Sequence, residues 1–281
     1  MSHKQFLGET DRPAGREGAS IIILPVPFDL TSTWQKGADK GPEAILDASP
    51  NLEFYSIETD SEVYKRGIYT ENAVTGETSE EMIEIVYRTA QQHLLKDRMV
   101  VTLGGEHSVS LGTVHAYADK YSEITVLQLD AHSDLRDEYM GSRYNHACVM
   151  ARIREHCPIF QVGIRSMDVE EKYVIDRDRV VYAHEIYQSS QWIDRIVERL
   201  SGYLYVTIDL DVFDSSIMPS TGTPEPGGLD WYQVVNLLQA VSGKTQVVGF
   251  DVVELCPSEA NRAPDFLAAK LAYTFLSYIW R

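Results

Sequence analysis

The chain has 281 residues, 44% of them hydrophobic and 24% charged, which excludes a largely disordered protein and suffices for one large α/β core. Its 42 acidic residues outnumber 25 basic ones and leave a net charge of −17. Such a surface repels nucleic acid and anionic membranes, so the expected partner is a metal ion, another cation or a neutral molecule. Solubility alone is the simplest explanation of the acidic excess.

The sequence shows no feature of export or of membrane insertion. Its N-terminal segment lacks an apolar stretch of signal-peptide length, and the early apolar run 21–28 is short and interrupted by two prolines. Three cysteines form no CxxC motif and cannot all pair with one another: Cys148, Cys157 and Cys256. We therefore expect a reducing, cytoplasmic compartment.

Short apolar runs alternate with longer helical patterns along the chain. The predicted strands are rich in Val and Ile and cover 20–26, 63–69, 99–103, 124–130, 159–164, 180–183, 204–209 and 245–254. Apolar residues at steps of three and four predict helices over 79–96, 191–200, 231–241 and 265–279. This alternation, without a repeat or a linker, predicts a single α/β domain over 1–281, with 1–18 flexible or loosely attached.

Three predicted strands lead into segments that carry reactive side chains. The first is GGEH (104–107), the second is DAHSD (130–134) and the third is DLD (209–211). Residues two apart on an extended chain face the same side. Ligands of a parallel sheet bind beyond the carboxyl ends of its strands. We therefore expect these side chains to converge.

The converging groups are four carboxylates and two imidazoles: His107, Asp130, His132, Asp134, Asp209 and Asp211. Carboxylates gathered in a buried crevice repel one another unless a cation neutralises them. Each motif alone is also compatible with an ordinary turn or helix start. Together they predict a site for two divalent ions, with Mn²⁺ the natural candidate, and the absence of Cys from the motifs excludes a thiolate site.

These motifs resemble those of the ureohydrolase family, the arginases and agmatinases. The similarity extends to GADKGPEAI (37–45), GIRS (163–166), DLDVFD (209–214), PSTGTPEPGG (219–228) and GFDVVE (249–254). The resemblance implies a three-layer α/β/α sandwich with a mainly parallel central sheet of about eight strands. It also implies hydrolysis of guanidino groups to urea with two Mn²⁺ ions per chain, in a homo-oligomer that is a trimer or a hexamer.

The resemblance also assigns roles to individual residues. One ion would be held by His107, Asp130, Asp134 and Asp209, and the other by Asp130, His132, Asp209 and Asp211. Glu254 would face the guanidinium group, and His146 would carry a proton to the leaving amine. Ala147 follows His146 where many relatives have Gly, which departs from the family pattern. Asp251, on the opposite face of its strand from Glu254, is interpreted as structural.

The expected reaction is the cleavage of agmatine to putrescine and urea, by attack of a metal-bridging hydroxide on the guanidinium carbon. The loop 135–145 should cover the far end of the substrate, where Asp137 and Glu138 would bind a cation. Arg136 and Arg143 of the same loop would instead favour an anion.

Several alternatives to agmatine hydrolysis stay open. Another guanidino compound is the first of them: aminopropylagmatine, guanidinobutyrate or arginine. A non-catalytic relative that binds a polyamine or a metal is more remote, because such a protein would be expected to have lost a ligand, His146 or Glu254. An enzyme similar to histone deacetylases, with one zinc ion, is disfavoured because the chain has no His-His pair.

Overall fold

An eight-stranded sheet with only parallel neighbours forms the middle layer of the protein. The computed structural model describes residues 4–8, 14–200 and 202–281. Its strands are β1 Ile21–Val26, β2 Ile68–Thr70, β3 Met99–Gly104, β4 Ile124–Leu129, β5 Ile159–Ile164, β6 Val180–Tyr182, β7 Tyr203–Asp209 and β8 Gln246–Val253. The order across the sheet is β2-β1-β3-β8-β7-β4-β5-β6. The predicted α/β sandwich is confirmed.

Helices cover both faces of the sheet, which is why most strand residues are apolar and buried. The helices are α1 Gly41–Ala48, α2 Ser79–Leu94, α3 Ser110–Lys120, α4 Val149–Ile153, α5 Ala183–Gln188, α6 Trp192–Val197, α7 Trp231–Lys244 and α8 Ala263–Ile279. One core lies between the sheet and α1 with α5 to α8, and a second core lies between the sheet and α2 to α4. Among the described residues, no helix is long and apolar enough to span a bilayer.

The predicted strand over 63–69 differs from the observed structure. The segment 63–69 is not one strand, because Val63–Arg66 forms a 3-10 turn and the short β2 begins only after Gly67. Gly67 has a φ of 82°, a left-handed conformation that interrupts an extended chain. The chain after residue 145 forms a 3-10 turn, His146–Cys148, followed by the short helix α4.

Two residues of the N-terminal segment contact the core, and the loose attachment expected for 1–18 as a whole stays a prediction. Phe6 and Leu7 are buried in the core beside α1, and the Phe6 backbone N donates to Thr70 Oγ1 at 2.8 Å. Residues 1–3 and 9–13 of this segment lie outside the described residues. Phe6 and Leu7 therefore pack onto the domain, where their apolar side chains are removed from water.

The sheet order determines where the reactive segments lie. The four central strands, in the order β3-β8-β7-β4, are those that end in GGEH, Glu254, DLD and DAHSD. Because all four strands are parallel, their carboxyl ends meet at one edge of the sheet. Neighbouring strands lie ~4.8 Å apart, so side chains from these ends are within reach of one another.

Candidate active site

The carboxyl ends of the central strands form the floor of a cavity of about 240 Å³. Polar groups dominate its wall, and several of them are the residues that the sequence singled out: His132, Asp134, His146, Asp209, Asp211 and Glu254. The remaining two predicted metal ligands, His107 and Asp130, lie directly beneath, almost fully buried.

His107 is the centre of a first cluster of carboxylates. Its Nδ1 atom lies 3.1 Å from Asp130 Oδ2, 3.2 Å from Asp134 Oδ2 and 3.4 Å from Asp209 Oδ2. Three strands thus supply this imidazole and the three carboxylates around its nitrogen. This arrangement can hold one divalent ion.

His132 belongs to a second cluster that shares Asp130 with the first. His132 Nδ1 lies 2.8 Å from Asp211 Oδ2 and 3.7 Å from Asp130 Oδ1. Asp130 therefore faces each imidazole with a different oxygen, as a carboxylate that bridges two ions would. The Ala131 backbone N donates to Asp211 Oδ1 at 2.9 Å and joins the two motifs. All six predicted ligands are thus brought together.

The hydrogen bonds behind His107 determine which of its nitrogens is free to bind a metal. Its Nε2 atom lies 2.8 Å from Thr207 Oγ1, and that hydroxyl donates to Asp251 Oδ1 at 2.7 Å. The Thr207 proton is used on Asp251, so His107 must donate from Nε2 and leave a lone pair on Nδ1. Within the described residues that buried Nδ1 has no hydrogen-bond partner. A metal ion fits this arrangement, and Asp251 has the supporting role expected of it.

The electrostatics of the cluster also favour bound cations. Burial, together with the charges of Asp211 and Asp134, raises the pKa of Asp130 to about 7. Burial alone would lower the pKa of His132, but Asp211 and Asp130 raise it to about 11. The carboxylates therefore require positive charge close by, and divalent ions supply more of it than protons on two imidazoles.

Two carboxylate residues at the site have left-handed backbone conformations. The φ of Asp134 is 52° and that of Glu254 is 66°, conformations that cost ~1–3 kcal/mol in a residue with a side chain. Hydrogen bonds hold both in place. The Met150 backbone N donates to the Asp134 carbonyl at 3.0 Å, and Glu254 N donates to the Gly105 carbonyl at 2.8 Å. The strain turns both side chains towards the cavity.

Glu254 and His146, the two predicted catalytic residues, both line the cavity. Glu254 is buried, and its Oε1 accepts from the His107 backbone N at 2.6 Å. Burial and the nearby Glu106 raise the pKa of Glu254 well above its usual range. Burial lowers the pKa of His146, so its neutral form is favoured.

Asp137 and Glu138, in contrast, do not take the position that the sequence predicts. Neither residue of this described loop lines the cavity, and both are exposed. Asp137 instead pairs with Arg152 at 2.6 Å and Arg143 at 3.0 Å. These arginines hold the Asp137 carboxylate at the surface, and a role of Asp137 and Glu138 in substrate binding stays a prediction.

The outer part of the cavity combines residues of the loop 135–145 with two residues, Met167 and Asp168, that the sequence analysis did not single out. Arg136, Tyr139, Met167 and Asp168 line it. The Arg136 guanidinium stacks over the Tyr139 ring at 4.7 Å and pairs with Asp168 Oδ2 at 3.3 Å. A signal for Asp168 existed, because it follows the carboxyl end of β5 just as the metal-ligand motifs follow their strands.

This site belongs to a known class of hydrolase. A model of the arginase family matches residues 19–277, and the chain therefore belongs to the arginase family. It is a ureohydrolase, a hydrolase that acts on carbon–nitrogen bonds in linear amidines.

Individual relatives are similar over almost the whole chain. An N(1)-aminopropylagmatine ureohydrolase from Thermus thermophilus is 40% identical over 95% of this chain and 92% of its own length. An agmatinase from Pyrococcus horikoshii is 35% identical, over 91% of this chain and 90% of its own. The crystal structure of the agmatine ureohydrolase of Thermoplasma volcanium superposes with a TM-score of 0.89 at 32% identity, covering 100% of this chain and 95% of that one.

Proposed function

We propose that the protein releases urea from a guanidine that carries a cationic polyamine chain, with N1-aminopropylagmatine as the first substrate and agmatine as the second. The observation that carries this proposal is Asp130, which faces His107 and His132 with different oxygens at the floor of an acidic cavity. In the reaction, water adds to the guanidinium carbon and the bond from that carbon to the substituted nitrogen breaks. The guanidinium group and one water yield urea and a protonated amine.

Two Mn²⁺ ions fit the donor set of nitrogen and carboxylate oxygen atoms. The proposed ligands are His107, Asp130, Asp134 and Asp209 for one ion, and Asp130, His132, Asp209 and Asp211 for the other. Such ions, when bound, lower the pKa of water towards ~7 and stabilise the negative charge that develops during its attack. The protein's own contribution is to hold the ligands rigidly, through Thr207 and Asp251 behind His107.

Glu254 is proposed to orient the guanidinium group. A carboxylate matches the forked N–H donors of this planar cation, and charge-assisted pairs of this kind are strong. The side chain is fixed by the His107 backbone N and by its own left-handed backbone. A cationic guanidinium would also lower the raised pKa of Glu254 and keep the carboxylate ionised.

His146 is proposed to transfer protons to the leaving nitrogen. That nitrogen carries one hydrogen in the substrate and three in the ammonium product, so a group in the cavity must deliver protons to it. A neutral imidazole can accept a proton, and the pKa of His146, which burial lowers, favours release of that proton to the leaving nitrogen.

The outer part of the cavity supports the longer substrate. Tyr139 and Met167 offer apolar surface to a methylene chain. An ammonium group of the substrate would share the Asp168 carboxylate with Arg136, which pairs with it at 3.3 Å. The Thermus relative is named for aminopropylagmatine, whereas the Pyrococcus relative is named for agmatine. We rank the extended substrate first because the Thermus relative, which is 40% identical, is named for aminopropylagmatine, and the Pyrococcus relative is 35% identical.

Urea release from a panel of guanidino compounds tests the proposal. The Mn²⁺-loaded protein is incubated with N1-aminopropylagmatine, agmatine, guanidinobutyrate and arginine, and kcat/KM is measured for each. The highest value is expected for N1-aminopropylagmatine. A higher value for agmatine would reverse the ranking, and urea from arginine alone would overturn the substrate class. No urea from any compound would overturn the enzymatic function.

The cytoplasmic location and the homo-oligomeric state, a trimer or a hexamer, stay predictions. The three cysteines are free and buried, which supports a reducing compartment. Light scattering on the purified protein would measure its mass in solution, and a mass of one chain would contradict the predicted oligomer.

A further inference from the structure

A loop that follows β1 brings a hydroxyl group against His146. Thr31 Oγ1 lies 2.9 Å from the His146 backbone N and 3.2 Å from its ring Nδ1. It also donates to Glu106 Oε1 at 2.7 Å. One hydroxyl therefore contacts both the backbone and the ring of the proposed proton-transfer residue.

Glu106 anchors this hydroxyl from the other side. Its side chain is fully buried, and it accepts hydrogen bonds from the Thr31 backbone N, from Thr31 Oγ1 and, at 2.6 Å, from Ser108 Oγ. The Glu106 backbone N in turn donates to the Phe28 carbonyl at 2.8 Å. The Glu106 carboxylate thus accepts all of these hydrogen bonds from groups within the protein. It connects the loop after β1 to the end of β3.

The close approach of these two chain segments depends on Gly105. A Cβ atom at this position would lie 1.9 Å from the Phe28 carbonyl oxygen, which no side chain can tolerate. The loop can therefore pass directly over the GGEH segment, and this passage places Thr31 beside Glu106.

The number of protons available fixes the direction of each bond. A threonine hydroxyl has one proton and two lone pairs. Glu106 takes the proton, because a carboxylate only accepts, and the His146 backbone N–H fills one lone pair. The remaining lone pair faces His146 Nδ1, which can approach it only as a donor.

We propose that Thr31 and Glu106 are positioning residues that hold His146 in its Nδ1–H tautomer, so that Nε2 is the nitrogen that exchanges protons in the cavity. The consequence for catalysis rests on the proposed function, whereas the tautomer itself does not. Because Glu106 directly precedes His107, the same contacts set the distance between the imidazole of His146 and the metal-binding strand. Transfer of a proton depends steeply on such a distance.

Neutron diffraction tests the tautomer without any variant and without any measurement of activity. Crystals of the Mn²⁺-loaded protein are exchanged into D₂O at a pD above 8. We expect one deuteron on His146 Nδ1, directed at Thr31, and one on Thr31 Oγ1, directed at Glu106. A deuteron on His146 Nε2, with or without one on Nδ1, would overturn the proposal.

Kinetics of Thr31 variants test the positioning role. Thr31→Val keeps the shape of the side chain but removes the hydroxyl, and Thr31→Ser restores it. We expect Thr31→Val to lower kcat ~10- to 100-fold, a large part of what acid–base catalysis contributes, with KM changed less than ~3-fold and with unchanged Mn²⁺ content. Thr31→Ser should recover most of kcat.

Thr89→Val is the matched control, since Thr89 Oγ1 donates only to the Ile85 carbonyl on α2, away from the cavity. Wild-type kcat in Thr31→Val would contradict the positioning role, as would equal losses in Thr31→Val and Thr31→Ser. If the wild-type protein releases no urea, the proposed function fails, and the neutron structure still decides the tautomer.

Discussion

Asp130 lies close to both imidazoles of the proposed metal site. One of its oxygens lies 3.1 Å from His107 Nδ1, and the other lies 3.7 Å from His132 Nδ1. The Gln128 side chain also donates to Oδ2 at 2.7 Å and restricts the rotation of the carboxylate. Loss of its charge should therefore disturb both ion sites at once.

Asp130→Asn tests this shared role. The amide nearly preserves the shape of the side chain but removes its negative charge, so we expect the Mn²⁺ content to fall well below that of the wild type. Urea release should fall by ~10³-fold or more, because both ions contribute to the activation of water. Metal analysis and a urea assay measure the two effects. The exposed Asp178 provides the control Asp178→Asn. Full metal content together with full turnover in Asp130→Asn would contradict the assignment.

His146→Ala should separate proton transfer from metal binding. We expect kcat to fall ~10²-fold or more, within the range of general acid–base catalysis, while the Mn²⁺ content stays at the wild-type value. The exposed His184 provides the control His184→Ala. Loss of Mn²⁺ from His146→Ala would contradict the proposed role, because it would make His146 part of the metal site.

At the scale of elements, Arg165 connects the end of β5 to the loop between β7 and α7. Its guanidinium group donates to the backbone carbonyls of Asp211, Phe213, Glu225 and Pro226. One side chain therefore holds both ends of a loop that begins with a proposed metal ligand. Guanidinium suits this task because its five N–H donors spread over a plane.

Arg165→Ala should consequently weaken both the fold and the metal site. Several carbonyls lose a charged donor, and we expect the free energy of unfolding to fall by ~2–4 kcal/mol. The affinity for Mn²⁺ should fall as well, because Asp211 becomes less fixed. Denaturant unfolding and Mn²⁺ titration measure these effects, with the exposed Arg199→Ala as control. Unchanged values in both measurements would show that the loop does not depend on Arg165.

Local periodicity was sufficient for most of the strands, for the ligands that directly follow them and for four of the eight described helices, α2, α6, α7 and α8. The helix predicted over 79–96 is observed as Ser79–Leu94, and the strand 159–164 as Ile159–Ile164. The prediction of a strand over 63–69 was wrong, because Gly67 adopts a left-handed conformation that depends on its surroundings. The course of a loop such as 135–145 depends on distant partners, which periodicity does not report.

At the scale of the whole molecule, the charge of −17 has only a partial explanation in the site. Four acidic residues are proposed metal ligands, and two divalent ions would offset them. The remaining excess supports solubility, and it also creates a negative potential that attracts a cationic guanidine. Added salt distinguishes the attraction of the substrate from the effect on solubility, because it screens the interaction between distant charges.

The value of kcat/KM should therefore depend on ionic strength. Between ~10 mM and ~150 mM NaCl the Debye length shortens from ~30 to ~8 Å, and we expect kcat/KM to fall several-fold while kcat changes little. Steady-state urea assays measure both, with guanidinobutyrate, whose carboxylate makes it neutral overall, as the control substrate. A kcat/KM that is independent of salt would leave solubility as the sole role of the acidic excess.

The sequence by itself determined the fold class and the identity of the candidate metal ligands, because both depend on short-range geometry. Residues two apart after a strand share a face whatever the rest of the chain does. Only the tertiary structure decided that the strands ending at His107, Glu254, Asp209 and Asp130 are neighbours, and that Asp137 turns away from the cavity. Thr31 likewise reaches His146 across 115 positions of sequence. Such approaches are set by packing between distant segments, and no local pattern encodes them.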